Sequence, residues 1–97
     1  MSQSPIYLDI NNNKSVITAL KAGEEKVFDV VYRHYFRRLC AFCSQYVGEQ
    51  EEIEEIVQET MMWLWENRCT LMEDLTLKTL LFTIVKNKAL NRLSHFE

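Results

Sequence analysis

EEIEEIVQETMMWLWEN, at residues 51–67, is the stretch that decides the fold. Its apolar residues recur every three or four positions, so a helix of about 3.6 residues per turn gathers them on one face. This spacing predicts a helix over residues 49–67 that packs through a single side. The packing face consists of Ile53, Ile56, Val57, Thr60, Met61 and Leu64.

The outward side of this helix carries two large apolar residues among its carboxylates. Helical spacing places Glu55, Gln58, Met62 and Trp65 there, with Glu59 beside them. Large side chains of this kind are typical anchors of protein–protein interfaces, which indicates a docking surface. In a second interpretation, Trp65 packs under the following loop and Met62 is an isolated exposed residue.

The same spacing predicts long helices before and after this one. The first covers residues 24–47 and ends at Gly48, and the second covers residues 76–94 after the loop CTLMEDLT, with Asp74 or Thr76 as its cap. The packing face of the first contains Phe28, Val31, Tyr32, Tyr35, Leu39, Phe42, Cys43 and Tyr46. The packing face of the second becomes polar halfway along, because it contains Leu77, Leu80, Leu81 and Ile84 and then Asn87, Lys88 and Asn91.

A shorter helix is predicted near the N-terminus. Asn13 is expected to cap a helix over residues 14–22, which Gly23 ends. Residues 1–13 then form a flexible leader, and residues 14–97 form one domain. A single Pro and two Gly in 97 residues, 47% of them hydrophobic, favour few long helices around one core. The predicted fold is an all-α, compact bundle of three main helices plus a short N-terminal helix.

Cysteine use and charge indicate where the protein works and what it contacts. Three cysteines, an odd number, and a start unlike a secretory signal peptide favour a reduced, cytoplasmic protein. No apolar run approaches the roughly 18 residues of a membrane span, so none is expected. Residues 47–75 carry eight Glu and one Asp against one Arg, whereas residues 26–46 and 76–97 are mildly basic. These basic segments permit contact with an anionic partner, or are ordinary solvated faces.

Catalytic and metal-binding patterns are absent from the sequence. Cys40 and Cys43 have zinc-like spacing, but His34 projects from another side of the helix and Cys69 is distant, so four convergent ligands are not available. The sequence contains neither a Gly-rich phosphate loop nor a nucleophile elbow. We therefore expect that the protein is not an enzyme and binds neither a cofactor nor a metal ion. We interpret the cysteines as structural thiols.

Three segments resemble region 2 of the extracytoplasmic-function (ECF) class of bacterial sigma factors. Residues 51–67 are similar to region 2.2, which has an acidic pair, an apolar pair, Gln, an acidic residue and an apolar run ending in Leu-Trp. LLFTIVKNKALNRL at residues 80–93 resembles regions 2.3 and 2.4. The pattern similar to region 2.1 is Phe28-x3-Tyr32-x2-Tyr35-x3-Leu39. The resemblance covers residues 15–95.

This resemblance implies a transcription initiation factor domain that binds RNA polymerase core and recognises and helps open the −10 promoter element. It implies that the outward residues Glu55, Gln58, Glu59, Met62 and Trp65 meet the β′ clamp helices of the polymerase. It also implies that the loop at residues 69–77 and the last helix meet the single-stranded nontemplate strand, with one base extruded into a pocket on the loop. The implied DNA-binding residues are Lys78, Phe82, Lys86, Asn87, Lys88 and Arg92. An anti-sigma factor is a further implied partner.

The sequence also departs from the family pattern. Asn91 and Ser94 stand where region 2.4 usually has Asp and Arg, and Phe82 is the main aromatic residue of region 2.3. We expect the family's second domain, which reads the −35 element, to be absent from this chain. Two other hypotheses remain. One is a helical protein-interaction or anti-sigma-like regulatory module without DNA binding, and the other is a metal-dependent redox sensor built on Cys40 and Cys43.

Overall fold

The computed structural model describes residues 9–95, with side chains up to residue 93. Its four α-helices are α1 (Asn13–Lys21), α2 (Glu25–Cys43), α3 (Gln50–Glu66) and α4 (Leu77–His95). A short 3-10 turn, Arg68–Thr70, lies between α3 and α4. The predicted all-α bundle of three long helices and a short N-terminal one is confirmed.

One core lies where α2, α3 and α4 pack against one another, and α1 packs against α2 and the 3-10 turn. The predicted packing face of α3 is confirmed at all of its positions, because each of those residues is buried. Its polar member, Thr60, donates its hydroxyl to the carbonyl of Ile56 at 2.9 Å, so burial leaves this hydroxyl paired. Within residues 9–95, none of the helices is long and apolar enough to cross a membrane.

The start of α1 differs from the prediction by one residue. Asn12, not Asn13, caps this helix, since its Oδ1 accepts the backbone N–H of Ser15 at 3.1 Å. Gly23 follows the end of the helix as predicted, with a φ of +81° that L side chains rarely adopt. Asn13 is instead held by a distant part of the chain, because its amide contacts the backbone at the start of α4.

The predicted leader, residues 1–13, lies partly outside the described residues. Nothing is described for residues 1–8. Asp9 begins a turn in which its carbonyl accepts the N–H of Asn12 at 2.8 Å, and Ile10 packs against the core. The part of the leader next to α1 is therefore attached to the domain.

The prediction for α2 was wrong at its C-terminal end, which is Cys43 rather than residue 47. After Cys43 the chain forms a tighter turn of the 3-10 type, since the N–H of Tyr46 donates to the carbonyl of Cys43 at 2.9 Å. The hydroxyl of Ser44 donates to the carbonyl of Ala41 at 2.6 Å, a local bond that competes with further helix. Gly48 therefore lies in the connection to α3, and the helix has already ended before it.

The packing face of α2 is slightly rotated from the predicted one. A row at every fourth position is buried, whereas several predicted members, such as Phe28, Tyr32, Phe42 and Tyr46, are only partly buried at its edges. The buried row is Val27, Val31, Tyr35, Leu39 and Cys43. The half-buried aromatic residues are therefore available to form surfaces beside the core.

The packing face of α4 was wrongly predicted in its second half. The buried row continues through Val85 and Ala89 and stays apolar, whereas Asn87 and Asn91 are exposed and Lys88 lies at the edge. The complete buried row is Leu77, Leu81, Val85 and Ala89. Spacing of four positions keeps these residues on one side of the helix, so within residues 77–93 the buried row of α4 contains no polar side chain.

Truncation of Leu39, which has no exposed surface, tests the core. We expect Leu39→Ala to lower the free energy of unfolding by about 3 kcal/mol, because it removes buried apolar surface and leaves a cavity. Val30→Ala, at a position of the same helix that is 42% exposed, should cost less than about 0.5 kcal/mol. Urea unfolding followed by circular dichroism measures both. Similar losses for the two variants would contradict the described core.

Candidate functional site

The residues predicted to bind a protein partner lie on the solvent side of α3 but have different surroundings. Gln58 and Met62 are exposed, and Met62 keeps 60% of its surface accessible. Glu55 and Glu59 are exposed at the side of α3 that faces α4. Trp65 is half-buried at the side that faces α2. Met62 is thus the exposed apolar centre of this surface.

Trp65 packs against two neighbouring elements. Its ring lies 5.0 Å from that of Phe28 on α2, at an interplanar angle of 52°. The guanidinium carbon of Arg68 lies 4.1 Å from the ring centre of Trp65, and Nη1 of Arg68 donates to the Trp65 carbonyl at 2.8 Å. The interpretation that Trp65 packs beneath the following segment is therefore right for part of its surface.

Aromatic rings continue from Trp65 along α2. Phe28 contacts Tyr32 edge-to-face at 6.1 Å, and Tyr32 stacks on Phe36 at 5.2 Å and an angle of 10°. We call Phe28, Tyr32 and Phe36 the aromatic row. All three are half-buried, so the row continues the partly exposed apolar surface of Trp65 along α2. Sequence reasoning missed Phe36, although its spacing of four from Tyr32 was a usable signal.

Two predicted DNA-binding residues pair with two predicted polymerase-binding residues. Arg92 contacts Glu55 at 3.3 Å and Glu59 at 3.9 Å, and Lys88 contacts Glu59 at 3.6 Å. These side chains are 26% to 58% exposed, so each pair contributes at most about 1 kcal/mol to stability. The pairs nevertheless direct Lys88 and Arg92 towards α3 and partly neutralise their charge.

The other basic residues of α4 line a groove against α2. Lys78, Phe82 and Lys86 follow one another at intervals of four and lie on one side of the helix. The ring of Phe82 meets that of Phe42 on α2 edge-to-face at 5.0 Å. We call this the α2–α4 groove, and its lining residues are Phe42, Lys78, Thr79, Phe82, Thr83 and Lys86. None of these six is acidic.

The sequence predicted only some of the groove residues as DNA-binding, namely Lys78, Phe82 and Lys86. It assigned Phe42 to the core and did not single out Thr79 or Thr83, because their contribution depends on how α2 and α4 lie against each other. Asn87, also predicted to bind DNA, is exposed and is not among the lining residues. The structure thus brings together Lys78, Phe82 and Lys86 and separates them from Lys88 and Arg92.

The cysteines differ strongly in their surroundings. Cys43 is buried, Cys40 is half-buried and Cys69 is exposed, and all three are free thiols. Burial raises the pKa of the Cys40 and Cys43 thiols above their usual value, so the reactive thiolate is disfavoured. Among residues 9–93, whose side chains are described, no group of three or more His, Cys, Asp or Glu residues is placed to hold a metal ion. This arrangement is that of structural thiols at Cys40 and Cys43.

Alkylation of the native protein should follow this order of exposure. We expect iodoacetamide at mildly alkaline pH to modify Cys69 first and Cys43 last, with rates at least about tenfold apart, because a buried thiol reacts only after local opening. Mass spectrometry of time points gives the three rates, and urea-unfolded protein supplies the reference in which they converge. Fast modification of Cys43 in the native state would contradict its placement.

Comparison with known proteins identifies the class. The family model for Sigma-70 region 2 matches residues 31–95, and the chain belongs to this family. A search of curated proteins found no match. Among solved structures, the NMR structure of the complex formed by an engineered region 2 of sigmaE in complex with GTAAAA is similar in fold. Its TM-score is 0.77 at 20% identity, with 95% of this chain and 93% of that chain covered.

The predicted resemblance to region 2 of sigma factors is thereby confirmed. The chain is a region 2 domain of a sigma factor, a transcription initiation domain that acts at the −10 promoter element. Its general partners are RNA polymerase core and −10 promoter DNA, and the class is not a class of enzymes.

Proposed function

We propose that this domain docks on the β′ clamp helices of RNA polymerase through the exposed side of α3. The same domain holds the single-stranded nontemplate strand of the −10 element in the α2–α4 groove. The observation that carries the proposal is the separation of two surfaces. An apolar surface centred on Met62 lies on α3, and a basic, aromatic groove centred on Phe82 lies between α2 and α4. Because the two surfaces do not share residues, we expect both partners to bind at once.

The composition of the groove suits single-stranded nucleic acid. The half-buried rings of Phe42 and Phe82 offer apolar surface on which unpaired bases can stack. Lys78 and Lys86 lie about 12 Å apart along the helix axis, at a rise of 1.5 Å per residue, and flank Phe82 as phosphate contacts. The hydroxyl-bearing residues between them add hydrogen-bonding capacity without negative charge. Aromatic and basic groups thus alternate along one side of α4.

Lys88 and Arg92 have a different role in this proposal. Their ion pairs with Glu59 and Glu55 orient α4 against α3 and hold these basic groups away from the groove. We therefore assign the main DNA contacts to the groove residues and only a minor electrostatic contribution to Lys88 and Arg92.

The docking surface on α3 has the layout of a small protein interface. Met62 supplies an exposed apolar centre, Gln58 a neighbouring hydrogen-bonding group, and Glu55 a charged rim. Trp65 and the aromatic row form its apolar margin towards α2. Because Arg92 already pairs with Glu55, this edge is partly neutralised, and the apolar centre favours a partner that presents mainly apolar side chains. An anti-sigma factor that competes for this surface is a further proposed partner.

The role of Phe82 is testable with a substitution that preserves packing. We expect Phe82→Leu to weaken binding of single-stranded DNA about tenfold, because stacking on an aromatic ring contributes about 1–3 kcal/mol per base. Leu retains apolar contact with Phe42, so the fold should persist. The probe is a labelled oligonucleotide that the wild-type chain selects from a random single-stranded pool, and the measurement is fluorescence anisotropy.

The matched control for this experiment is Phe36→Leu. Phe36 is also half-buried on α2 but belongs to the aromatic row rather than to the groove, so DNA affinity should not change. Equal affinities for all three proteins would overturn the assignment of the groove. If the wild-type chain selects no sequence from the pool, the proposed holding of the nontemplate strand in the α2–α4 groove is wrong.

A further inference from the structure

The side chain of Asn13 joins α1 to the backbone that leads into α4. Its Nδ2 donates to the carbonyl of Leu75, and its Oδ1 accepts the N–H of Leu77 at 2.8 Å. The two partners are 62 and 64 residues further along the chain. A primary amide offers a donor and an acceptor side by side, whereas ionised Asp has no donor. Asn13 therefore bonds two backbone groups of one distant segment at once.

This segment is the α3–α4 loop, residues 71–76, which runs from the 3-10 turn to α4. Its anchors are apolar, since Leu71 and Leu77 are buried and Leu75 is half-buried. The residues between these anchors are exposed, and Met72 keeps 65% of its surface accessible. Thr18 on α1 adds a second link, because its hydroxyl donates to the Glu73 carboxylate at 3.4 Å. The exposed tip of the loop, residues 72–74, thus leads into a C-terminal part, residues 75–76, that α1 holds in place.

The C-terminal part of the loop, residues 75–76, leads directly into the part of α4 that lines the α2–α4 groove. Lys78 and Thr79, in the first turn of α4, line the groove and follow Leu77 directly. Because Asn13 holds the N–H of Leu77, it restricts the direction in which the chain enters α4. The position of the tip relative to the groove therefore depends on a side chain of α1, an element with no residue in the groove.

We infer that Asn13 is a positioning residue for DNA reading. It holds the α3–α4 loop in one conformation, so that the tip, residues 72–74, forms a fixed wall for one unstacked base at the end of the groove. A loop without this link binds the same strand but is held less firmly, which weakens base selection more than phosphate contact. This inference rests on the proposed function of the groove.

The test compares variants of two adjacent asparagines in the full chain. Asn13→Ala removes both bonds to the loop, whereas Asn12→Ala removes the cap of the same helix and leaves the loop contacts in place. The probes are the oligonucleotide selected by the wild-type chain and versions of it that are abasic at one position at a time. The measured quantity is the abasic effect, which is the factor by which affinity falls when the most sensitive position of the oligonucleotide lacks its base.

We expect Asn13→Ala to reduce this abasic effect about fivefold or more, while affinity for a homopolymer changes less than about twofold. Asn12→Ala should retain the wild-type abasic effect, although it lowers stability as loss of a helix cap does. Hydrogen exchange gives an independent readout, since the amide of Leu77 should exchange faster in Asn13→Ala and not in Asn12→Ala.

A second variant keeps the inference falsifiable if Asn13→Ala does not fold. Asn13→Asp retains the acceptor for Leu77 and loses the donor to Leu75, so it should give an intermediate abasic effect. An unchanged abasic effect in folded Asn13→Ala or Asn13→Asp would overturn the inference and leave the proposed function intact. A wild-type chain without any sensitive abasic position would instead contradict the proposed function itself.

Discussion

Replacing Lys78 and Lys86 together by Glu should weaken binding of the selected single-stranded oligonucleotide about 100-fold, equivalent to about 3 kcal/mol. Each substitution removes a phosphate contact and places a carboxylate beside the strand. Both lysines flank Phe82, and none of the six residues that line the groove is acidic. The dependence of affinity on salt should become shallower, because fewer counterions are released on binding.

The control for this double variant must change net charge by the same amount. Lys26→Glu with Arg37→Glu does so at two exposed positions of α2 that do not line the groove. We expect this control to weaken binding less than about threefold, since exposed charges that do not line the groove make no direct phosphate contact there and are screened by salt. Equal losses in the two double variants would show that binding follows net charge alone and would contradict a defined groove.

Met62→Glu should weaken binding to the isolated β′ clamp helices about 100-fold or more. Truncation of a hot-spot residue costs about 2 kcal/mol or more. We assign Met62 that role as the exposed apolar centre, and a carboxylate without a partner there adds a desolvation cost. Because Met62 is exposed in the free domain, the stability of the domain should fall by less than about 1 kcal/mol, which allows for repulsion by Glu59 and Glu66 one turn away. Isothermal titration calorimetry measures the affinity, and urea unfolding confirms that the fold is unchanged.

A second exposed methionine supplies the matched control. Met72, on the α3–α4 loop, is as exposed as Met62 but lies outside the proposed docking surface, so Met72→Glu should bind the clamp helices like wild type. If Met62→Glu also binds like wild type, the docking surface does not lie on α3. If both variants lose binding, the partner covers the loop as well, and the separation of the two surfaces is wrong.

The sequence was sufficient to predict α3, because its apolar spacing is regular over the full length and admits one packing face. The same reasoning failed for α4, which has apolar residues on more than one side. Leu80 and Ile84 shifted the predicted face, whereas the buried row runs through Val85 and Ala89. The phase of such a helix depends on the shape of the neighbouring helices, which spacing alone does not contain.

Other differences arise from contacts between distant parts of the chain. Three consecutive asparagines made the cap of α1 ambiguous, and contact of Asn13 with Leu75 and Leu77 leaves Asn12 as the cap. Lys88 and Arg92 resembled free basic residues because their acidic partners on α3 are remote in sequence. The sequence thus predicted which basic and aromatic residues of α4 are candidates for DNA binding. It did not predict which of them line the groove and which form ion pairs with α3.

An NMR titration of the wild-type chain with two ligands tests the central claim most directly. The ligands are the isolated clamp helices and the selected single-stranded oligonucleotide, added separately and then together. We predict that clamp helices shift amides around Gln58 and Met62, that DNA shifts amides around Lys78, Phe82 and Lys86, and that both sets of shifts persist in the ternary sample. Displacement of one ligand by the other, or one shared set of shifted amides, would contradict two separate binding surfaces.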